Sequence, residues 1–506
     1  MFASTGSLFI GGNVQINADA EGGTSSGNVF AIASLSAFAE RDAEYDGSIL
    51  VHANADDHGS GAAFAWALAD LRAQSGSVIV DGNIDIAATL QGNGLEFGTS
   101  FVSSLGHFAN VGFASADLEI EADDGSASLN GVSVTANANL TNPGQARSIG
   151  ESSSGGARAE MNITANFGDI LLRGPVSVDA RARALASSLF LLASANGAIH
   201  AGEGDIALLD ALSFRADARA SGTEDASAEA ISDVELEASG DIILPGATSR
   251  AKAVASSADF GDASAFAILS LNAGHDVDIT GSGAFAGASA NAPFAFDRSV
   301  TASANLQIVA GHDASIEGDV IAAAVALGGG TDNIANAIVD IEAGSGGSGD
   351  VTMSGDLAAL AFADPADDHA LASITVNAHN DIVIVGHDPI ASAHAGTALA
   401  FLQTHVTDSQ TDSGGNGSSA IARITITAGG TVSFIAPPEN EINDQVLALL
   451  ALPTDTPDID PDVLTEIQLL IDGQDCGVLG SAGADPAKGA GCSKSALTIA
   501  EPDALP

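Results

Sequence analysis

The sequence predicts an all-β protein whose chain winds into a parallel β-helix, or β-solenoid. The first observation is a recurring seven-residue unit: a small residue, then Ser, Asp or Thr, then alternating apolar residues and usually Gly. The second is the alternation of apolar and polar residues on both sides of each unit, which indicates half-buried strands. The third is that the whole strand-corner-strand pattern repeats. A unit this short cannot bury a core alone, so equivalent units are expected to stack as rungs.

Twelve copies of the unit are predicted within residues 6–436, and each is named here by its first residue. They are GSLFIGG at Gly6, GSILVHA at Gly47, GSVIVDG at Gly76, GSASLNG at Gly125, GDILLRG at Gly168, GDIALLD at Gly204, GDIILPG at Gly240, HDVDITG at His275, HDASIEG at His312, GDVTMSG at Gly349, NDIVIVG at Asn380 and GTVSFIA at Gly430.

Each unit is expected to form one wide turn of the solenoid, with three strands, two tight corners and one variable loop. Two turns per unit are the alternative. The strand after the corner is of Ala-x-Ala type, as in VSVDARARALA from Val176, which suits an inner face with little room. Gly at the corners is expected to supply a positive φ, and the repeated Asp is expected to cap the turns as a ladder. The ladder comprises Asp169, Asp205, Asp241, Asp276, Asp313, Asp350 and Asp381. Antiparallel sandwich modules are the competing fold, but they need a period of roughly 100 residues.

The composition changes after residue 436, where Pro437 and Pro438 end the last strand. Residues 437–475 are predicted to be a short helical C-terminal cap, with helices over 440–452 and 461–472. Asp460 is the expected N-cap of the second helix, which would cover the open apolar end of the stack. Contact with a membrane is the alternative for this helix, but it lacks basic residues.

Residues 476–506 are a tail that holds both cysteines of the chain, Cys476 and Cys492. A disulfide between them would close a loop of fifteen residues, a size at which a bridge contributes about 3 kcal/mol to stability. We predict this disulfide, and two free thiols are the alternative.

The charge of the chain excludes several classes of partner. With 15 basic and 65 acidic residues, the formal net charge is −50, which would repel nucleic acid and anionic membrane surfaces. No apolar run is long enough for membrane insertion, and the N-terminus does not resemble a signal peptide. We therefore interpret the sequence as the C-terminal portion of a longer exported protein or a truncated gene product.

No catalytic, cofactor-binding or metal site is predicted. The basic residues are scattered along the sequence without evident stacking onto acidic partners, and the pairs Asp56–Asp57, Asp123–Asp124 and Asp367–Asp368 fall in predicted loops. His275 and His312 take the same place in successive units, but no third histidine continues the row, and zinc needs three or four ligands. Calcium is chemically compatible with the acidic loops, and no calcium site is placed.

The run of A-G-x-D-apolar-x-apolar-x-G units over residues 6–436 resembles the filamentous-haemagglutinin-type adhesins of Gram-negative bacteria, which are exported by two-partner secretion. The resemblance implies an adhesin rod without catalysis, extracellular or on the cell surface, which binds a host-cell, glycan or matrix ligand through its variable loops. It also implies an outer-membrane transporter as partner, to which the loop between Cys476 and Cys492 would tether the chain. No match to the secretion domain of that family is present in the sequence.

Two other functions stay open at the level of sequence. Some parallel solenoids are polysaccharide lyases or hydrolases, so a glycan-acting β-helix enzyme is one alternative. An acidic surface-layer or biofilm matrix protein is the other.

Overall fold

The computed structural model of the chain is a parallel β-solenoid, as the sequence predicts, and the described residues contain no helix. It follows that no described helix is long and apolar enough to cross a membrane. The structure describes residues 1–3, 5–22, 28–57, 62–92, 100–103, 106–109, 111–141, 153–185, 188–221, 225–256, 260–292, 299–329, 333–364, 369–386, 389–395, 398–403, 408–409, 419–435, 464–465, 467–471, 474–478 and 497–500.

Three kinds of strand alternate along the chain, numbered here in chain order. Long strands of the first sheet are β1 (Phe2–Ala3), β4 (Val29–Ala39), β7 (Ala63–Ala73), β12 (Val111–Ala122), β15 (Ser153–Ala165), β18 (Ser188–Ala201), β21 (Asp225–Ala238), β23 (Phe260–Ala273), β25 (Val300–Ala310), β28 (Ile334–Ala343), β31 (His369–Ala378) and β36 (Ser419–Ala428).

Short corner strands open the second sheet. They are β2 (Leu8–Ile10), β5 (Ala43–Tyr45), β8 (Val78–Val80), β13 (Ala127–Leu129), β16 (Ile170–Leu172), β19 (Ile206–Leu208), β26 (Ala314–Glu317), β29 (Val351–Ser354), β32 (Ile382–Val385), β37 (Val432–Ile435), and the first residues of β22 (Ile242–Ser256) and β24 (Val277–Ala292).

Long strands of the second sheet follow the corner strands. They are β3 (Val14–Gly22), β6 (Ile49–Asp57), β9 (Ile84–Gly92), β14 (Val132–Thr141), β17 (Val176–Leu185), β20 (Leu212–Ser221), β27 (Val320–Gly328), β30 (Leu357–Asp364), β33 (Ile390–Ala395), and the remainders of β22 and β24.

Each long or corner strand pairs in parallel with its equivalent in the next unit, so one unit makes one turn, as expected. The two long strands of a turn face each other across a thin core of Ala, Val, Leu and Ile. In one turn the inward hydroxyls of Ser232 and Ser249 lie 2.8 Å apart. Antiparallel pairs depart from this pattern in the described residues. They are the hairpins of β10 (Ser100–Ser103) with β11 (Gly106–Ala109) and of β33 with β34 (Ala398–Gln403), together with two pairs among the last described strands.

Eleven of the twelve predicted corner units are placed correctly, and GSILVHA at Gly47 is wrong. Its residues belong to β6, which pairs with β3, whereas the corner strand of that turn is β5, Ala43–Tyr45. The sequence RDAEYDG hides this strand because Arg41 stands where the correctly predicted units have Gly, His or Asn. Ala43 and Tyr45 are fully buried, and burial raises the pKa of Tyr45 to about 12.

A continuous row of hydrogen bonds runs along this corner, here called the corner ladder. The side-chain oxygen of each member accepts the backbone N–H of the next member, over ten successive bonds of 2.6 to 3.2 Å. The ladder of aspartates is thereby confirmed, but each carboxylate caps the next turn rather than its own. The members are Asp42, Ser77, Ser126, Asp169, Asp205, Asp241, Asp276, Asp313, Asp350, Asp381 and Thr431.

Glycine is required at the corners for two different physical reasons, positive φ and close packing between turns. Only the first is predicted from the sequence. Gly318 and Gly355, at the end of their units, have φ of 93° and 136°, as predicted for a corner that needs positive φ. Gly204, at the start of its unit, is required by close packing instead, because a Cβ there would lie 2.4 Å from the carbonyl oxygen of Gly168 in the previous turn.

The helix predicted over 461–472 is wrong at the residues that the structure describes. Strand β38 (Leu464–Thr465) pairs with β35 (Asp408–Ser409), and β39 (Ile467–Ile471) adds to β36 in parallel register. A short apolar run fits both periods, and the unpaired edge of the last turn offers hydrogen bonds to a strand. Strands β40 (Gln474–Val478) and β41 (Leu497–Ala500) follow, whereas the helix predicted over 440–452 lies outside the described residues.

The corner ladder predicts a specific loss of stability for Asp241→Ala. This change removes the acceptor of the Asp276 N–H, which lies 3.1 Å from Asp241 Oδ1, and should lower the free energy of unfolding by about 1 kcal/mol. Asp241→Asn removes the same charge but keeps an acceptor, so it should stay close to wild type. Urea unfolding of the three proteins checks this, and equal midpoints for both variants would show that the hydrogen bond contributes nothing.

Candidate functional site

The outer face of the first sheet carries a row of aromatic residues at the N-terminal turns. Phe30, Phe64 and Phe113 occupy one register column on the successive strands β4, β7 and β12. Ile32 and Trp66 lie beside them in the next column. These five residues, here called the aromatic platform, point away from the core because inward positions alternate with them.

The platform is accessible, and two of its rings stack on each other. The rings of Phe30 and Phe64 are stacked with centroids 5.4 Å apart and planes inclined by 2°. The exposed fractions are 45% for Phe30, 59% for Ile32 and 47% for Trp66. On an acidic surface, a contiguous apolar patch of this kind indicates a binding face.

A glycine extends the platform into the next turn. Gly156 follows Phe113 in the same register column, and a Cβ at Gly156 would lie only 3.0 Å from Cε2 of Phe113. The missing side chain therefore leaves room for the phenyl ring to lie over the neighbouring strand.

Polar groups border the platform on one side. Trp66 Nε1 donates a hydrogen bond of 2.7 Å to Asp117 Oδ2, and Ser115 Oγ lies 3.0 Å from the same oxygen. Burial raises the pKa of Asp117 above its ordinary value, although the hydrogen bonds from Trp66 and Ser115 act in the opposite direction.

A second carboxylate stands next to Asp117. Glu160 is its register partner on β15, and the guanidinium of Arg158 pairs with Glu160. Adjacent parallel strands are about 4.8 Å apart, so two carboxyl groups and a guanidinium lie within reach of one small ligand.

This arrangement suits a sugar chemically. A pyranose ring has a face of C–H groups that packs on an aromatic ring, and hydroxyls at its edge that hydrogen-bond to carboxylates and guanidinium groups. Trp66 and the phenyl rings provide the apolar surface, while Asp117, Arg158 and Glu160 provide the polar edge.

The sequence contained a signal for the platform that the corner units alone did not reveal. The tetrapeptides FAIA, FAWA and FASA begin at Phe30, Phe64 and Phe113, at the loop-proximal ends of their strands. Alignment of the units on these strands, instead of on the corners, places the three phenylalanines in one column.

The residues considered as sites in the sequence have other surroundings. The rings of His275 and His312 do stack, 5.2 Å apart and inclined by 9°, but the described residues contain no group of three metal-ligating side chains. Asp57 is buried and ends β6, and Asp123 follows β12. Asp367 and Asp368 lie outside the described residues. Cys476 lies in β40 and Cys492 is not among the described residues, so their disulfide stays a prediction.

The raised pKa of Asp117 should be visible in the fluorescence of Trp66, the single tryptophan of the chain. Ionisation of the hydrogen-bonded carboxyl should change the emission with a midpoint above 3.8, the ordinary value. With a raised pKa, the stability contributed by Asp117 is complete below that value and is lost as the pH rises through the folded-state pKa. Fluorescence titration and unfolding at several pH values measure both effects.

Two variants control this titration. Asp117→Asn should abolish the transition, and Glu160→Gln should keep it at a slightly lower midpoint, because the charge of Glu160 raises the pKa of Asp117. A wild-type midpoint at or below 3.8 would contradict the effect of burial.

Comparison with known proteins identifies no relative of the chain. No protein-family model, no curated protein and no solved structure matches the chain. The parallel β-solenoid and the geometry of its outer faces are therefore the basis for a proposal of function.

Proposed function

We propose that the chain is a surface-exposed or secreted adhesin rod, without catalysis, that binds glycans through the aromatic platform. The observation that carries this proposal is the exposure of stacked aromatic rings on the outer face of a rigid solenoid. The resemblance of the corner units to filamentous-haemagglutinin-type adhesins supports the same function.

The solenoid suits such a role because its backbone positions do not depend on a ligand. Parallel pairing fixes the backbone of Phe30, Phe64 and Phe113 in one column, so little backbone freedom is left to lose when a sugar binds. Aromatic residues offer a large contact area at a small entropic cost.

The remaining parts of the proposal rest on sequence. We place the chain outside a Gram-negative cell, with an outer-membrane transporter as partner and a host-cell, glycan or matrix surface as target. Cys476 and Cys492 would form the loop that tethers the chain to the transporter.

Trp66→Ala should weaken glycan binding about tenfold, because loss of one stacked indole costs about 1.4 kcal/mol. Ligands found on a glycan array can be measured by calorimetry with wild type and variant. Phe167→Ala removes a 60% exposed aromatic residue from a corner outside the platform and should leave the affinity unchanged. Equal losses for both variants, or no glycan bound by wild type, would count against the platform as the site.

A glycan-acting enzyme is the second candidate, and the pairing of Asp117 with Glu160 favours it. One carboxyl has a raised pKa and could donate a proton, while its neighbour, paired with Arg158, could act as nucleophile. Retaining glycosidases hold their two carboxyl groups about 5 Å apart, which is close to the spacing of adjacent strands.

The two functions predict different results for Asp117→Asn. An enzyme would lose at least a hundredfold in the rate of polysaccharide cleavage, because the general acid is gone. An adhesin would show no turnover in wild type and would keep most of its affinity in the variant. Reducing-end release from a polysaccharide panel, measured beside binding, separates them, and turnover that survives the substitution would exclude Asp117 as the acid.

A further inference from the structure

The outer face of the second sheet has a basic belt in the middle of the rod. Six of the chain's 15 Lys and Arg residues lie on the three adjacent strands β17, β20 and β22, with only two carboxylates among them. The expectation that the basic residues are scattered is therefore wrong here, because parallel register brings residues about 36 positions apart in the sequence into neighbouring rows. The belt comprises Arg181, Arg183, Arg215, Arg219, Arg250 and Lys252, with Asp179 and Asp217.

Both carboxylates of the belt form ion pairs with arginines of the belt. Arg181 Nε binds Asp179 Oδ1 at 2.9 Å, and Arg219 holds both oxygens of Asp217 at 2.8 Å. The side chain of Asp217 is only 1% exposed. Burial opposes its ionisation, but the hydrogen bond and charge of Arg219, with the charges of Arg215 and Arg183, lower the pKa of Asp217 below its ordinary value.

Not every cation of the belt has a carboxylate partner among the described residues. Among the described residues, no carboxylate lies within the 4.0 Å ion-pair distance of Arg250 or Lys252. Arg215 shares Asp217 only at 3.4 Å. The belt thus has an excess of four positive charges on a chain whose formal charge is −50, and an arrangement that leaves the Arg250 guanidinium and the Lys252 ammonium without a carboxylate partner in the described part of the chain favours an external anion.

A cleft of about 710 Å³ opens beside these cations, between β20, β22, β24 and β27. Strands β20 and β22 present Arg215, Arg250 and Lys252, with the hydroxyls of Ser213 and Thr248, and β24 adds the hydroxyl of Ser289. The apolar side of the cleft begins with Phe285, over whose ring the Arg250 guanidinium lies at 4.8 Å. Its volume falls within the range of small-ligand sites, which is about 300–1,000 Å³.

We propose that this cleft binds an acidic saccharide, with its carboxylate or sulfate on Arg250, Lys252 and Arg215 and its ring against Phe285. Guanidinium groups bind such anions in a bidentate manner, and the three hydroxyls match sugar hydroxyls. A short anion fits better than a nucleic acid, because the same outer face carries Asp19, Glu21, Asp56 and Asp85 toward the N-terminus, where a long polyanion would be repelled. The site is on the sheet opposite the aromatic platform and does not depend on it.

Calorimetric titration of the full chain tests the proposal. The probes are an oligogalacturonate, which carries carboxylates, a dextran sulfate fragment, and neutral maltotetraose, each at several NaCl concentrations. We expect wild type to bind one or both acidic probes, with an affinity that falls as salt rises, and we expect Arg250→Gln/Lys252→Gln to weaken that binding at least tenfold.

Control variants locate the effect. Arg173→Gln removes a cation that is 43% exposed at a corner outside the cleft, and it should bind like wild type. Phe285→Ala leaves all charges in place, so a severalfold loss in that variant supports the cleft even if the double variant folds poorly, as judged by circular dichroism and melting.

Three outcomes would overturn the proposal. The first is no binding of either acidic probe by wild type, or binding that both cleft variants leave unchanged. The second is preference for a DNA oligonucleotide, which would make the belt a nucleic-acid contact. The third is salt-sensitive self-association, lost in the double variant and unaccompanied by saccharide binding, which would assign the belt to acidic strand β21 of a second copy.

Discussion

The stacking of one turn on the next at the corner is the constraint on which the rest of the structure depends. Each turn donates the backbone N–H of its corner residue to the side chain of the preceding turn, as Asp276 does to Asp241. Backbone pairing alone would allow the strands to slip in steps of two residues, which keep the same face inward. The corner ladder removes that freedom because only one residue per turn can reach the next N–H. At the C-terminal end, the bonds from the backbone and Oγ1 of Thr431 lower the pKa of Asp381.

A fixed register places residues that are far apart in the sequence side by side. Functional side chains from successive units can therefore form clusters on the outer faces. Arg181, Asp217 and Lys252 come from three different units, yet they occupy one column. The inner face permits little variation, because Ala and β-branched residues fill a thin core. The outer positions are free to differ from turn to turn, so aromatic residues on one sheet and cations on the other can accumulate without a change in the fold.

The fold was predictable from the sequence because the corner units repeat a local rule, whereas the two outer sites were not. Alternation and the position of Asp are visible within seven residues, which is why eleven units were placed. Ala43–Tyr45 escapes prediction because Arg41 replaces the Gly, His or Asn that opens the correctly predicted units, and only the register with Leu8–Ile10 identifies it as a corner strand. The aromatic and basic columns can be recognised only when the register of the long strands is known. Loops of unequal length make the sequence spacing between paired residues irregular, so the sequence alone does not give that register. A helix is predicted over 461–472 because its apolar residues fit both periods, and at residues 467–471 the open edge above β36 decides for a strand.

The variable loops, where binding is expected from the sequence, lie next to the aromatic platform on the strands. Phe30 and Phe64 are the second residues of β4 and β7, and Phe113 is the third of β12, so the aromatic column lies where the loops deliver the chain into the first sheet. Between β9 and β12 the chain inserts the hairpin of β10 and β11, and β11 lies beside β15, next to the strand of Phe113. A rigid aromatic surface bordered by an insertion can keep a common mode of stacking while the insertion selects the ligand. Under the proposed function, loop variation would change which sugar is bound, and the strands would supply the stacking surface that all such sugars share.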